Sequence, residues 1–110
     1  MKTASKFCIV LVTAGDRKNA FLISKLLTKN KLVACVNILP SIRSIYRWKG
    51  KIENAAEILM LIKTRKSNLS KLEKIIRQHH TYEIPEILTI SLLSGEARYL
   101  HWLNMETRRR

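Results

Sequence analysis

Apolar positions along the chain switch between two periods, and the switches mark the elements. Phe7 to Thr13 is a continuous apolar run rich in β-branched residues, which predicts a strand buried on both faces. Thr13-Ala14-Gly15-Asp16 breaks it, and Asp16 can cap a helix by accepting from orphan backbone N–H groups. From there to Lys31 the period is helical. Ala20, Ile23, Leu26 and Leu27 share one face, and Arg17, Ser24, Lys25 and Thr28 share the other. Phe21 falls among the polar positions and marks a candidate contact.

Leu32 to Leu39 predicts a second strand, interrupted at Pro40 by a bulge, a kink or an edge, because proline lacks a ladder donor. Beyond it the period is two: Ile42, Ser44, Tyr46 and Trp48 alternate with Arg43, Ile45 and Arg47. Lys49-Gly50-Lys51 supplies a turn, and a third strand runs through Ile52 and on from Ala55 to Thr64. Arms of that length exceed the usual strand of roughly 5–6 residues, so the distal hairpin should project from the core.

Ser67 or Asn68 can cap the next helix, and Ser70 with Glu73 has capping-box spacing. Its apolar face is Leu69, Leu72, Ile75, Ile76 and His79. A polar connection, His79 to Glu86, follows and is fixed by Pro85. Ile87 to Leu93 predicts a fourth strand. A last helix starts at Ser94-Gly95-Glu96 with Tyr99, Leu100, Trp102 and Leu103 facing inward. His101 projects away from that face, and Arg108-Arg109-Arg110 forms a basic tail.

The order β-α-β-β-α-β-α predicts an α+β fold, a ferredoxin-like split βαβ sandwich with an extended hairpin and an extra C-terminal helix. A length of 110 residues predicts a single domain, 1–110, with an ordered core from about 6 to 106. Strands apolar on both faces require a cover on the side without helices, which points to another subunit.

Charge changes the picture. Lys and Arg number 21 against 8 Asp and Glu, a formal net charge of +13. Such a field attracts polyanions and predicts weak, salt-sensitive, non-specific binding to them. Hydrophobic residues at 46% exclude a disordered chain. The apolar runs fall far short of the roughly 20 residues of a membrane span, so no membrane partner is expected. Lys2 and Lys6 precede a short apolar run without a convincing cleavage site, which reads as a strand rather than a signal peptide. Two unpaired cysteines, Cys8 and Cys35, fit a cytoplasmic protein.

The chemistry concentrates in His79, His80, Tyr82, Glu83 and Glu86, whose imidazoles and carboxylates are competent ligands for a divalent metal. Neighbouring histidines on a helix diverge by about 100°, so His79 and His80 share an ion only if the helix has ended. Otherwise His79 closes the apolar stripe. Cys8 reads as core. Cys35 reads as a buried thiol or a site thiol. Lys63 is a solvated edge or an anion partner, and Trp48 and Tyr46 fit a covered interface better than a ligand platform. Without a glycine-rich loop, no nucleotide or other organic cofactor is expected.

Several segments together resemble the CutA divalent-cation tolerance proteins. They are Ala34-Cys35-Val36-Asn37-Ile38, Ser44 through Glu53, Ile62-Lys63-Thr64, His80 through Glu86 and Tyr99 through Leu103. The resemblance implies a tight trimer whose hairpin reaches a neighbouring subunit. It implies a role in tolerance or response to copper and other divalent metals, with no firmly established reaction, and a site in the cleft between subunits. Carried over, that site includes Cys35, Trp48, Lys63, His80, Tyr82 and Glu83. The chain departs from the family at Thr81 and Gly15, where proline is usual. It also departs at Val12, where some members with a proposed copper site have cysteine. A metal site of His79, His80 and Glu83 would therefore be nitrogen and oxygen only, and weak.

The leading expectation is a homotrimeric, non-enzymatic protein that binds Cu2+ or another divalent ion weakly. The alternative is a basic ferredoxin-like nucleic-acid-binding module, although the strands lack the aromatics on which bases stack, so no specific nucleic acid is expected. An enzyme using His80 or Glu83 as acid–base is a third reading.

Overall fold

The structure is a computed structural model and describes residues 1–108. Strands are β1 (Lys2–Thr3), β2 (Phe7–Ala14), β3 (Cys35–Trp48), β4 (Lys51–Arg65), β5 (Ile87–Ser91) and β6 (Ser94–Gly95). Helices are α1 (Arg17–Lys29), α2 (Leu69–His79) and α3 (Ala97–Thr107). Four strands form an antiparallel sheet in the order β3-β4-β2-β5, the ferredoxin-like arrangement expected from the element order. The two-residue strands β1 and β6 pair with each other, an addition too short to show as a period in sequence.

Alternation along the central strands decides what is buried. Cys8, Val10 and Val12 of β2 and Ile58, Met60 and Ile62 of β4 turn to the helices and pack against Ala20, Ile23, Leu27, Leu72 and Ile76. Burial pushes the Cys8 thiol up, consistent with a core thiol. The opposite face is open. It carries Ile9 and Leu11, Leu59 and Leu61, and on β5 Leu88 and Ile90, which are 56% and 52% exposed.

Helix ends are closed by local chemistry. Asp16 accepts from the Asn19 N–H at 2.8 Å, as its cap position predicts. Asn68 does not cap α2, and no capping box forms, because a short 3-10 turn over Lys66–Asn68 precedes the helix. Asn68 is buried and donates to the Leu32 and Thr107 carbonyls at 3.1 and 3.2 Å. Arg65 donates to Thr107 Oγ1 at 3.0 Å and to the Asn104 carbonyl at 2.9 Å. These bonds tie α3 to the end of β4.

Three expectations about helix faces are corrected. Tyr99 and Trp102 meet as a tilted pair outside α3, 42% and 41% exposed, and the inward stripe is Leu100, Leu103 and Thr107. Ser24 is buried, its hydroxyl donating to the Ala20 carbonyl at 2.7 Å. His79 is exposed rather than closing the α2 stripe. Thr107 is buried within α3, so the helix runs one residue past the core end expected near 106, and Arg109 and Arg110 of the expected basic tail lie outside the described residues.

The hairpin of β3 and β4 runs to 14 and 15 residues and gives the chain extents of 44 × 26 × 22 Å. Lys49 and Gly50 both have positive φ, 49° and 79°, which fits the turn to the right-handed twist of the arms. Pro40 sits at a bulge: Leu39 pairs with Leu59, but Ile42 pairs with Glu57. That one-residue shift changes which side chains face the open side. Before it they are odd-numbered, Cys35, Asn37 and Leu39. After it they are even-numbered, Ile42, Ser44, Tyr46 and Trp48.

Candidate functional site

The bulge builds one wall of a cavity. Ser44, Tyr46 and Trp48 come from β3, Glu57 from β4 and Thr13 from the end of β2, and the connection adds Thr81 to Ile84 and Glu86. The cavity measures about 670 Å³. Its charge opposes that of the chain as a whole. Of the 8 acidic residues in a chain of net charge +13, Glu57, Glu83 and Glu86 line this one space. Trp48 is half-buried, with the Lys49 ammonium 5.6 Å from its ring centroid.

His80 holds the connection in place. Its Nε2 lies 2.7 Å from the Thr13 carbonyl, which can only accept, so Nε2 carries the proton. Its Nδ1 then accepts from the Tyr82 N–H at 3.0 Å. β5 pairs with β2 only as far as Val12, and the imidazole takes the next carbonyl along the strand. Asn19 braces the same segment from α1, donating to the His79 carbonyl at 2.8 Å.

Tyr82 is the floor. Its hydroxyl donates to Glu57 Oε2 at 2.6 Å, and its ring crosses Gly15, where an added Cβ would meet the ring at 3.2 Å. Burial, and then the bond to the Glu57 carboxylate, push the Tyr82 phenol far above its usual value near 10. A neutral phenol is thus favoured by the fold. Its contribution to stability is complete below about pH 10 and is lost as pH rises further. In spectrophotometric titration, Tyr82→Phe should therefore leave the native phenolate absorbance step near pH 10 unchanged in amplitude. A smaller step in the variant would show that Tyr82 ionises with the exposed population.

The metal set expected from sequence does not form within one chain. Among the described residues, no three His, Cys, Asp or Glu side chains come together as a metal site. His80 has both nitrogens engaged, and His79 directs Nδ1 at the Ile75 carbonyl of its own helix at 3.0 Å. Glu83 is exposed at the cavity. The other expected residues divide into two groups. Trp48 and Tyr82 line the cavity with Glu83. Cys35 and Lys63 pair on the open face near the far end of the sheet, six positions from Glu57 along β4, or roughly 20 Å at strand rise. There Cys35 Sγ approaches Asn37 Oδ1 at 3.6 Å, and the Lys63 ammonium lies 5.9 Å from the Tyr99 ring centroid. Glu57 was not singled out in sequence. Its only signal is a carboxylate in phase with Leu59, Leu61 and Lys63 on the open face.

An antiparallel split βαβ sheet, a projecting hairpin and an acidic cavity under a histidine-braced loop define a class of small α+β proteins. Residues 8–106 match the CutA1 divalent ion tolerance protein family, and the chain belongs to it. It is 38% identical over 100 residues to "Protein CutA, chloroplastic" of Arabidopsis thaliana, covering 91% of this chain and 55% of that protein. It is 38% identical over 99 residues to the divalent-cation tolerance protein CutA of Thermus thermophilus, covering 90% and 96%. The chain thus spans about half the length of the plant relative and nearly all of the bacterial one. The crystal structure of CutA1 from Oryza sativa superposes with a TM-score of 0.90 at 36% identity, over 94% of this chain and 95% of that one. No helix among the described residues is long and apolar enough to cross a membrane.

Proposed function

We propose that this protein works as a cytoplasmic homotrimer in tolerance of or response to divalent metal ions. It acts by weak binding in clefts between subunits rather than by catalysis. The concentration of Glu57, Glu83 and Glu86 in one cavity of a strongly basic chain carries the reading, because it supplies a local attraction for cations. Net positive charge repels cations at long range, but salt screens that beyond about 8 Å. The open apolar sheet face supports the assembly, since it leaves large side chains in water in the single chain. A neighbouring hairpin laid across that face would bring Trp48 and Tyr82 of one subunit toward Cys35 and Lys63 of the next.

In this reading the three residues expected to ligate metal have different roles. Glu83 offers a carboxylate at the cavity, His79 keeps Nε2 without a partner among the described residues, and His80 positions the loop. Cu2+ is the preferred ion for imidazole, bound in the micromolar range or weaker by so few donors. The binding-module alternative gains nothing, because β2 and β4 present Ile9, Leu11, Leu59 and Leu61 where bases would have to stack.

Calorimetry with Cu2+ tests the site. Glu83→Gln should weaken binding about tenfold, while His80→Ala should weaken it only as far as it loosens the loop. Equal binding by the parent and Glu83→Gln would remove the cavity from the metal chemistry.

A further inference from the structure

No helix among the described residues is long and apolar enough to cross a bilayer, but one helix face carries exposed apolar side chains within a basic stripe. α1 contains Arg17, Lys18, Lys25 and Lys29 and no acidic residue. Successive positions 18, 22, 25 and 29 follow helical spacing, so Lys18, Leu22, Lys25 and Lys29 form one stripe on the outside of the helix. Phe21 lies beside it, between Arg17 and Lys25. Both apolar side chains are uncovered: Phe21 is 48% exposed and Leu22 46%. The opposite face of α1, through Ala20, Ile23 and Leu27, is wholly buried in the core, so the helix cannot roll to hide them.

The positive surface continues past the helix. Lys71 and Lys74 of α2 line a shallow cleft with Asn30 and Leu32 beyond the end of α1. Glu73, the acidic residue of α2, is 3.5 Å from Arg77 and is matched within its own helix.

We propose that the outer crest of α1 docks on an anionic lipid surface. Phe21 and Leu22 enter the headgroup boundary, and the flanking lysines meet phosphate and carboxylate headgroups. The placement of the apolar pair separates lipid from nucleic acid. A duplex backbone gains nothing from two uncharged side chains at the centre of the basic stripe. An interfacial helix needs them there, because bulky apolar residues flanked by lysine are what give such helices both depth and charge attraction.

Co-sedimentation of the full chain with vesicles tests the proposal. Vesicles of phosphatidylcholine with about one-third phosphatidylserine should retain the protein at low salt, and phosphatidylcholine alone should not. The double variant Phe21→Ser with Leu22→Ser keeps the charge and should bind about tenfold less. If that variant fails to fold, Phe21→Trp serves instead, and its fluorescence should shift to the blue on anionic vesicles beyond any change in the parent. Three results would overturn the proposal: no retention of the parent on anionic vesicles, equal retention of the serine variant, or no shift at Phe21→Trp. A gel shift with duplex DNA and no vesicle binding would assign the face to polynucleotide instead.

Discussion

His80→Ala should destabilise the metal-free protein by about 2–3 kcal/mol in denaturant titration with chelator present. The variant leaves the Thr13 carbonyl and the Tyr82 N–H without the imidazole that satisfies both. Thr13 is buried, and β5 has already stopped pairing with β2 at Val12, so no strand can take over. Tyr82 should lose its fixed position over Gly15, and the cavity floor should loosen with it. A residue whose only role is to ligate metal would leave the metal-free stability within about 0.5 kcal/mol of the parent. That smaller change would return His80 to the ligand set.

Leu88→Arg should convert the assembled protein to monomers at micromolar concentration, as read by light scattering. In the single chain the side chain is 56% exposed, so the substitution is mild there. Under a neighbouring subunit it would bury an unpaired guanidinium, at a cost on the order of 3–5 kcal/mol for each copy. The proposed trimer predicts a parent of three chains and a variant of one. A monomeric parent would end the assembly reading, and a trimeric variant would move the interface off the open sheet face.

The fold was largely legible because it rests on periodicity. Val10, Val12, Met60 and Ile62 advertise buried strands, and Ala20, Ile23 and Leu27 advertise one helix face. The site was legible only in pieces. His80, Tyr82 and Glu83 stand together in sequence, but which groups satisfy the imidazole depends on Thr13, 67 positions away. Glu57 was missed because a lone carboxylate in a strand reads as solvated, and its partner Tyr82 is 25 positions on. Asn68 looked like a cap because asparagine usually is one there. Its burial between Leu32 and Thr107 follows from where α3 docks. The α3 aromatics were misassigned because bulk suggests burial. Yet Leu100, Leu103 and Thr107 already fill the inward stripe, leaving Tyr99 and Trp102 to each other.

The extra residue at Pro40 works like a frame shift in a code of alternating letters. Upstream of it the message facing the cavity side is spelled by odd-numbered residues, downstream by even-numbered ones. The same sequence paired without that bulge would keep a single phase through the arm and rewrite the distal message without altering any residue in it. Arg43, Ile45 and Arg47 would then stand where Ser44, Tyr46 and Trp48 do now. The wall beside Glu57 would turn from hydroxyl and aromatic to guanidinium, and positive charge would stand among the carboxylates of Glu57, Glu83 and Glu86. The length of one loop-sized irregularity, rather than the chemistry of the arm, thus sets which side chains wall the cavity. Deleting Ser41 takes out the extra residue itself and leaves Ile42, Ser44, Tyr46 and Trp48 opposite their present partners. That variant should take up Cu2+ as the parent does, and weakened uptake would show that the bulge's own geometry holds the wall.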